Sequence, residues 1–144
     1  MVVGNHGLRL TKTIREDVIL LDVLIVDDDE VIRIALKRII GKLGYNTLEV
    51  DSIQSATAIL ETRSIDAVFC DVRFPADRSG VEILDFIVKR DLDTRVIMMS
   101  CAMDDAAVLH LTKKGAAKCL EKPFFKDVCL ETLTSLFPER LSAV

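Results

Sequence analysis

Two rhythms of apolar residues alternate along the chain. Short, continuously apolar runs such as Val23-Leu24-Ile25-Val26 take turns with longer stretches in which apolar residues recur every three or four positions. The first rhythm predicts buried strands and the second amphipathic helices. Strands are expected at 22–26, 47–50, 67–70, 96–99 and 117–120. Helices are expected at 31–43, 51–63, 81–90, 106–114 and 125–137. Helix stops agree with this reading: Gly44 and Gly115 follow two of the helices and Pro138 follows the last. Strict strand–helix alternation predicts a parallel sheet with helices on both faces.

The strands differ in a way that orders them. "VLIV", "AVF" and "VIMM" are apolar throughout, as strands buried on both faces must be. "TLEV" and "AKCL" alternate with polar residues, as edge strands can. Strands 1, 3 and 4 are therefore expected in the centre and strands 2 and 5 at the edges. Right-handed crossovers then give the order 2-1-3-4-5. The connections reverse direction between strands 1 and 3, and ligands bind outside the carboxyl ends of the strands at such a point.

Residues at those ends carry the candidate chemistry. Strand 1 runs into Asp27-Asp28, strand 3 into Asp71, strand 4 into Ser100 and strand 5 into Lys122, followed by Pro123. Three neighbouring carboxylates would raise at least one pKa unless a cation neutralises them. Mg²⁺ is a hard cation that accepts such oxygen ligands. An aspartate can also act as a nucleophile toward phosphorus and form an acyl phosphate. Each residue has a plainer role available: Asp28 or Asp29 as the cap of helix 1, Glu30 as a solvated first-turn acid, Asp71 at the start of a loop, Ser100 as a cap, Lys122 on the surface. Their joint placement favours chemistry.

Composition narrows the picture further. The 144 residues suit one domain, with 1–21 read as an N-terminal extension, 22–138 as the folded unit and 139–144 as a tail. Within the extension Thr13-x-x-Glu16 suggests the cap of a short helix. A net charge of −4 argues against nucleic-acid binding. No apolar run reaches membrane-spanning length and the start lacks a signal-peptide core, so a cytoplasmic location is expected. Cys70, Cys101, Cys119 and Cys129 form no C-x-x-C pair and are expected as buried free thiols; His6 and His110 fit no zinc spacing.

Four motifs in order carry a family resemblance: "LIVDDDE"; "CDVRFP" followed by "GVEIL"; "VIMMS"; and "KKGAAKCLEKPF", similar to the pattern G-A-x-x-F/Y-x-x-K-P-F. Over about residues 22–137 the chain resembles the receiver domain of two-component response regulators. The resemblance implies a flavodoxin-like (βα)5 fold with the same strand order, so that order is not an independent derivation. It implies Asp71 as phosphoacceptor and Mg²⁺ held by Asp27, Asp28, Asp71 and the backbone carbonyl of Arg73. It implies Lys122 and Ser100 on the phosphoryl oxygens, and a cis bond between Lys122 and Pro123. Implied partners are a sensor histidine kinase or phosphotransfer protein, and a downstream protein or second copy reached through helix 4, strand 5 and helix 5.

Departures from the pattern matter as well. "ADRS" makes the loop before Gly80 one residue longer than usual, and Cys119 stands where the family places a switching Tyr or Phe. Helix 4 has a lean apolar face of Ala107, Val108 and Leu111, which fits a loosely held element. Two other functions compete. "VDDDEV" also fits the D-x-D-x-T/V pattern of haloacid-dehalogenase phosphatases, with Asp27 as nucleophile and Asp29 as acid. A receiver-like scaffold without phosphorylation is the other. After Pro138 too few residues remain for an effector domain, so either a stand-alone receiver or a piece of a larger regulator is expected.

Overall fold

A computed structural model describes residues 14–15 and 18–139 of the chain. Five parallel strands form the sheet: β1 (Asp22–Val26), β2 (Asn46–Val50), β3 (Ala67–Asp71), β4 (Arg95–Ser100) and β5 (Lys118–Glu121). Their order is β2-β1-β3-β4-β5, as the polarity of the strands predicts. Between them run α1 (Glu30–Lys42), α2 (Ile53–Thr62), α3 (Val81–Lys89), α4 (Asp105–Lys114) and α5 (Lys126–Leu136). The fold is thus the flavodoxin-like doubly wound α/β architecture.

Period-two alternation sorts the strand residues between two cores. Leu24, Val26, Val68 and Met98 pack with Ile53, Leu60, Ile83 and Leu84 from α2 and α3 on one face. Val23, Ile25, Phe69, Ile97 and Met99 pack with Leu36 and Ile40 of α1 and Leu133 of α5 on the other. Val23 to Val26 are wholly buried, and each such side chain contributes roughly 1.5–3 kcal/mol by leaving water.

Helix ends follow local chemistry, with some shifts from expectation. Asp29 caps α1, its carboxylate accepting the Val31 amide at 3.0 Å. Ser52 caps α2, its hydroxyl accepting the Ser55 amide at 3.1 Å, so that helix begins at Ile53 rather than at residue 51. Asp104 caps α4 through the Ala107 amide at 2.8 Å, so that helix begins at Asp105. Gly115 ends α4 with φ at 116°, a left-handed geometry that glycine adopts without strain.

Three sequence expectations need correction. Ile14–Arg15 pair antiparallel with Val18–Ile19 rather than starting a helix; Thr13 and Glu16 lie outside the described residues. Cys101 is exposed, because it follows β4 into the loop; Cys70 and Cys129 are buried and Cys119 is half-buried. Apolar spacing also overstated some helix faces: Val31 on α1 and Val88 on α3 are mostly exposed, and on α4 only Leu111 is buried.

The longer loop before α3 folds into a small hairpin. Arg73–Phe74 pairs antiparallel with Arg78–Ser79, and the Arg78 amide donates to the Pro75 carbonyl at 3.3 Å. Its central residues, Ala76 and Asp77, have φ of 60° and 57°. A turn with two left-handed residues matches strand twist but favours Asn-Gly. Asp77→Gly is therefore expected to raise stability by about 0.5–1 kcal/mol, seen as a higher urea midpoint. An unchanged midpoint would show that this turn carries no strain.

Candidate functional site

The carboxyl ends of β1 and β3 place their acids side by side because these strands are hydrogen-bonded neighbours, with Val26 opposite Cys70. Carboxylate oxygens of Asp27, Asp28 and Asp71 all lie within 4.8 Å of one another. Lys122, directly after β5, reaches over β4 into this group. Its Nζ donates to Asp27 Oδ2 at 2.6 Å and stands 3.3 Å from Asp71 Oδ1. The backbone of Lys122 is anchored too, its amide donating to the Ser100 carbonyl at 2.9 Å, and the Lys122–Pro123 peptide is cis.

The three acids are not equivalent. Asp27 is wholly buried and both its oxygens are engaged, Oδ2 by Lys122 and Oδ1 by the Asp29 amide at 2.9 Å. Asp28 is exposed. Asp71 lies between, with its side chain 13% exposed. Burial, reinforced by the charge of Asp27, pushes the Asp71 carboxyl above the usual carboxylate range; Lys122 and the Arg73 amide only partly offset this. Burial alone would push the Lys122 ammonium down, but the bond to Asp27 and the charges of Asp27 and Asp71 outweigh it and hold it up.

Three carboxylates against one ammonium leave two negative charges uncompensated. Hard oxygen donors with surplus negative charge fit a divalent cation such as Mg²⁺.

The raised Asp71 pKa is also a statement about stability. A carboxyl that ionises less readily in the folded chain penalises folding above its folded pKa. The penalty fades as pH falls toward the unfolded value. Asp71→Asn is therefore expected to be more stable than wild type by about 1 kcal/mol at neutral pH, with the difference shrinking in acid. Urea unfolding at neutral and acid pH checks it; a destabilised variant at neutral pH would contradict the strain.

Other residues singled out from sequence sit nearby with different partners. Ser100 is buried and its hydroxyl accepts the Ala102 amide at 3.2 Å, bonding none of the acids. The Arg73 side chain is exposed while its amide serves Asp71. Cys119 contacts the α2–α4 core and hydrogen-bonds Thr112 of α4; burial pushes its thiol up despite Thr112 and Lys118, which disfavours a reactive thiolate. Asp27, the nucleophile of the phosphatase reading, is sealed, and the exposed Asp29, its acid, serves as the cap of α1.

Residues that the sequence pattern did not single out complete the surroundings. Arg33 of α1 donates from Nη1 to the Asp27 carbonyl at 2.8 Å and from Nε to Glu49 at 3.0 Å. Glu121 accepts the Met103 amide at 3.2 Å and so ties β5 to the loop after Ser100. Gly80 packs directly on the Asp71 carbonyl. No pattern in the sequence marked Arg33 or Glu121; Gly80 opens the "GVEIL" motif, but its packing on the Asp71 carbonyl left no signal there.

Comparison with known proteins agrees with this geometry. The family model described as the response regulator receiver domain matches residues 23–134. The chemotaxis protein CheY of Thermotoga maritima is 31% identical over 115 residues, 79% of this chain and 95% of that protein. An NtrX-like response regulator of Rickettsia bellii is 34% identical over 75% of this chain but only 23% of its own length, so there the match is to one segment of a longer protein. The signal receiver domain of a LuxO repressor protein from Vibrio parahaemolyticus superposes with a TM-score of 0.78 at 25% identity, covering 86% of this chain and 95% of that one. The phosphatase alternative finds no support in these matches. With its fold, its acid cluster and its motifs in register, the chain belongs to the receiver domain family of two-component response regulators.

Proposed function

We propose that Asp71 accepts a phosphoryl group from a phosphohistidine donor, a sensor histidine kinase or a phosphotransfer protein. The observation that carries this is the asymmetry of the acids: Asp71 keeps an accessible carboxylate at the switch point while Asp27 is sealed and doubly bonded. In the reaction an Asp71 oxygen attacks phosphorus, the bond to the donor nitrogen breaks, and an acyl phosphate results. Asp27, Asp28, Asp71 and the Arg73 carbonyl would hold Mg²⁺, which when bound supplies charge neutralisation for the phosphoryl oxygens. Lys122 takes up the charge that arrives on Asp71, since its ammonium already lies within reach. Ser100 turns from the Ala102 amide toward a phosphoryl oxygen and so reports its presence. Water later hydrolyses the acyl phosphate slowly.

The output face in this reading is α4, β5 and α5, contacted by a downstream protein or a second copy. A thin attachment supports α4 as the mobile element, since elements with few buried contacts are the ones that shift. With Cys119 in place of an aromatic ring, the shift would run through the loop between Ser100 and Asp104. We take residues 22–138 as the folded unit, in the cytoplasm.

The test is phosphorylation from acetyl phosphate with Mg²⁺, followed by mass analysis for an acid-stable, base-labile phosphate. Wild type should label and Asp71→Asn should not. A label that survives Asp71→Asn but disappears in Asp27→Asn overturns the assignment. Absence of label in wild type, even from a kinase, would favour the scaffold reading.

A further inference from the structure

We propose that Arg33 is a positioning residue for the magnesium site, acting on the Asp28 carboxylate through the Asp27 carbonyl. The inference rests on the reading that Asp27, Asp28 and Asp71 hold Mg²⁺. Asp27 accepts three hydrogen bonds: at Oδ2 from Lys122 Nζ, at Oδ1 from the Asp29 amide, and at its carbonyl from Arg33 Nη1 at 2.8 Å. Asp28 has no such side-chain anchor among the described residues and is exposed. Its carboxylate is aimed only by its backbone, and the preceding peptide plane is set by where the Asp27 carbonyl points. A planar peptide couples that carbonyl to the Asp28 amide, so holding one end orients the other.

The charges support positioning rather than direct electrostatics. A guanidinium beside a cation site repels the cation. Here Glu49 of β2 binds Arg33 Nε at 3.0 Å and offsets that charge. The Arg33 side chain is 13% exposed and bridges α1, the edge strand and the acid loop. The planar fork of arginine meets the two acceptors from two separate nitrogens in fixed directions, which the single ammonium of a lysine does not reproduce. A cation tolerated here only with its own counter-ion is explained by the geometry it imposes.

Magnesium chloride titration by calorimetry tests this on the full chain, for wild type, Arg33→Met, Arg33→Lys and Lys37→Met. Arg33→Met is expected to weaken Mg²⁺ binding by about tenfold to a hundredfold, as loss of supporting contacts around metal ligands does. In the magnesium-free chain its Asp28 and Asp29 amide resonances should shift as well. Lys37 also neighbours Glu49, at 3.6 Å, but does not touch Asp27. Lys37→Met should stay within about twofold of wild type, since exposed charges are well screened. Arg33→Lys should weaken binding in the same direction by less, and it decides the matter if Arg33→Met fails to fold. Lowered stability with unchanged Mg²⁺ affinity in the folded Arg33 variants overturns the inference and leaves the metal site standing. If wild type binds no Mg²⁺, the metal site and the inference fall together.

Discussion

Lys122→Met is expected to cost about 3–5 kcal/mol of stability, the range found when one partner of a buried ion pair is removed. The ammonium is the only cation within bonding distance of Asp27 Oδ2, at 2.6 Å, among the described residues, and the lysine side chain is 9% exposed. Asp27 itself is wholly buried. Methionine would fill similar volume but leave the Asp27 carboxylate unpaired and facing Asp71 across the crevice. Two neighbouring buried carboxylates without a cation must either take up a proton or open the site to water. Acid should therefore restore part of the lost stability, and Lys122→Met combined with Asp71→Asn should restore part at neutral pH. The wild-type contribution runs the other way: a raised lysine pKa stabilises the fold below the ordinary lysine value and is lost as pH climbs through the folded one. Urea unfolding across pH measures all of this. A loss under about 1 kcal/mol would mean that water already serves Asp27 as well as Lys122 does.

Gly80→Ala is expected to be nearly as damaging for a different reason. Gly80 has φ −60° and ψ −13°, which any residue can adopt, so backbone freedom is not at issue. Space is. A Cβ there would overlap the Asp71 carbonyl oxygen and lie 2.7 Å from Cys70 Sγ. The Gly80 amide also donates to the Val72 carbonyl at 2.7 Å, which holds the two segments together. A backbone oxygen cannot rotate away as a side chain can, so the end of β3 must move and carry Asp71 with it. We expect a loss of about 3 kcal/mol by urea unfolding, toward the upper end for an overpacked site. Phosphate labelling should fall more than the folded fraction does. Adding Cys70→Ala removes the sulfur but not the carbonyl, so it should recover only a minor part. A Gly80→Ala protein with wild-type stability and labelling would show that the loop yields freely.

Much of the fold was legible because local pattern and global position agree. Continuous apolarity marked β1, β3 and β4 as central, and alternation marked β2 and β5 as edges. Spacing failed where an apolar residue sits on a helix flank that nothing covers. Val31 is 75% exposed and Val88 54%, although both keep the helical period. Periodicity reports which residues share a face but not whether a neighbour arrives there. Asp27, Asp28, Asp71 and Lys122 could be named in advance because strand ends converge once strand order is known. Arg33 could not: its bond to a backbone carbonyl depends on where α1 turns relative to β1, and a carbonyl has no signature in sequence.

The amino-acid sequence by itself determined which residues end the central strands, and hence that three carboxylates, a hydroxyl and an amine share one rim. It did so because side-chain period and strand polarity are local properties. Only the tertiary structure decided how those groups divide their bonds. Lys122 sits 95 residues from Asp27 in the chain, yet lies closer to it than to Asp71. That preference leaves Asp71, whose carboxyl burial and the charge of Asp27 already push up, the less tightly paired of the two. It arises from strand register and sheet twist accumulated across β1, β3, β4 and β5. A difference of less than an ångström between such contacts is set by the packing of the whole sheet.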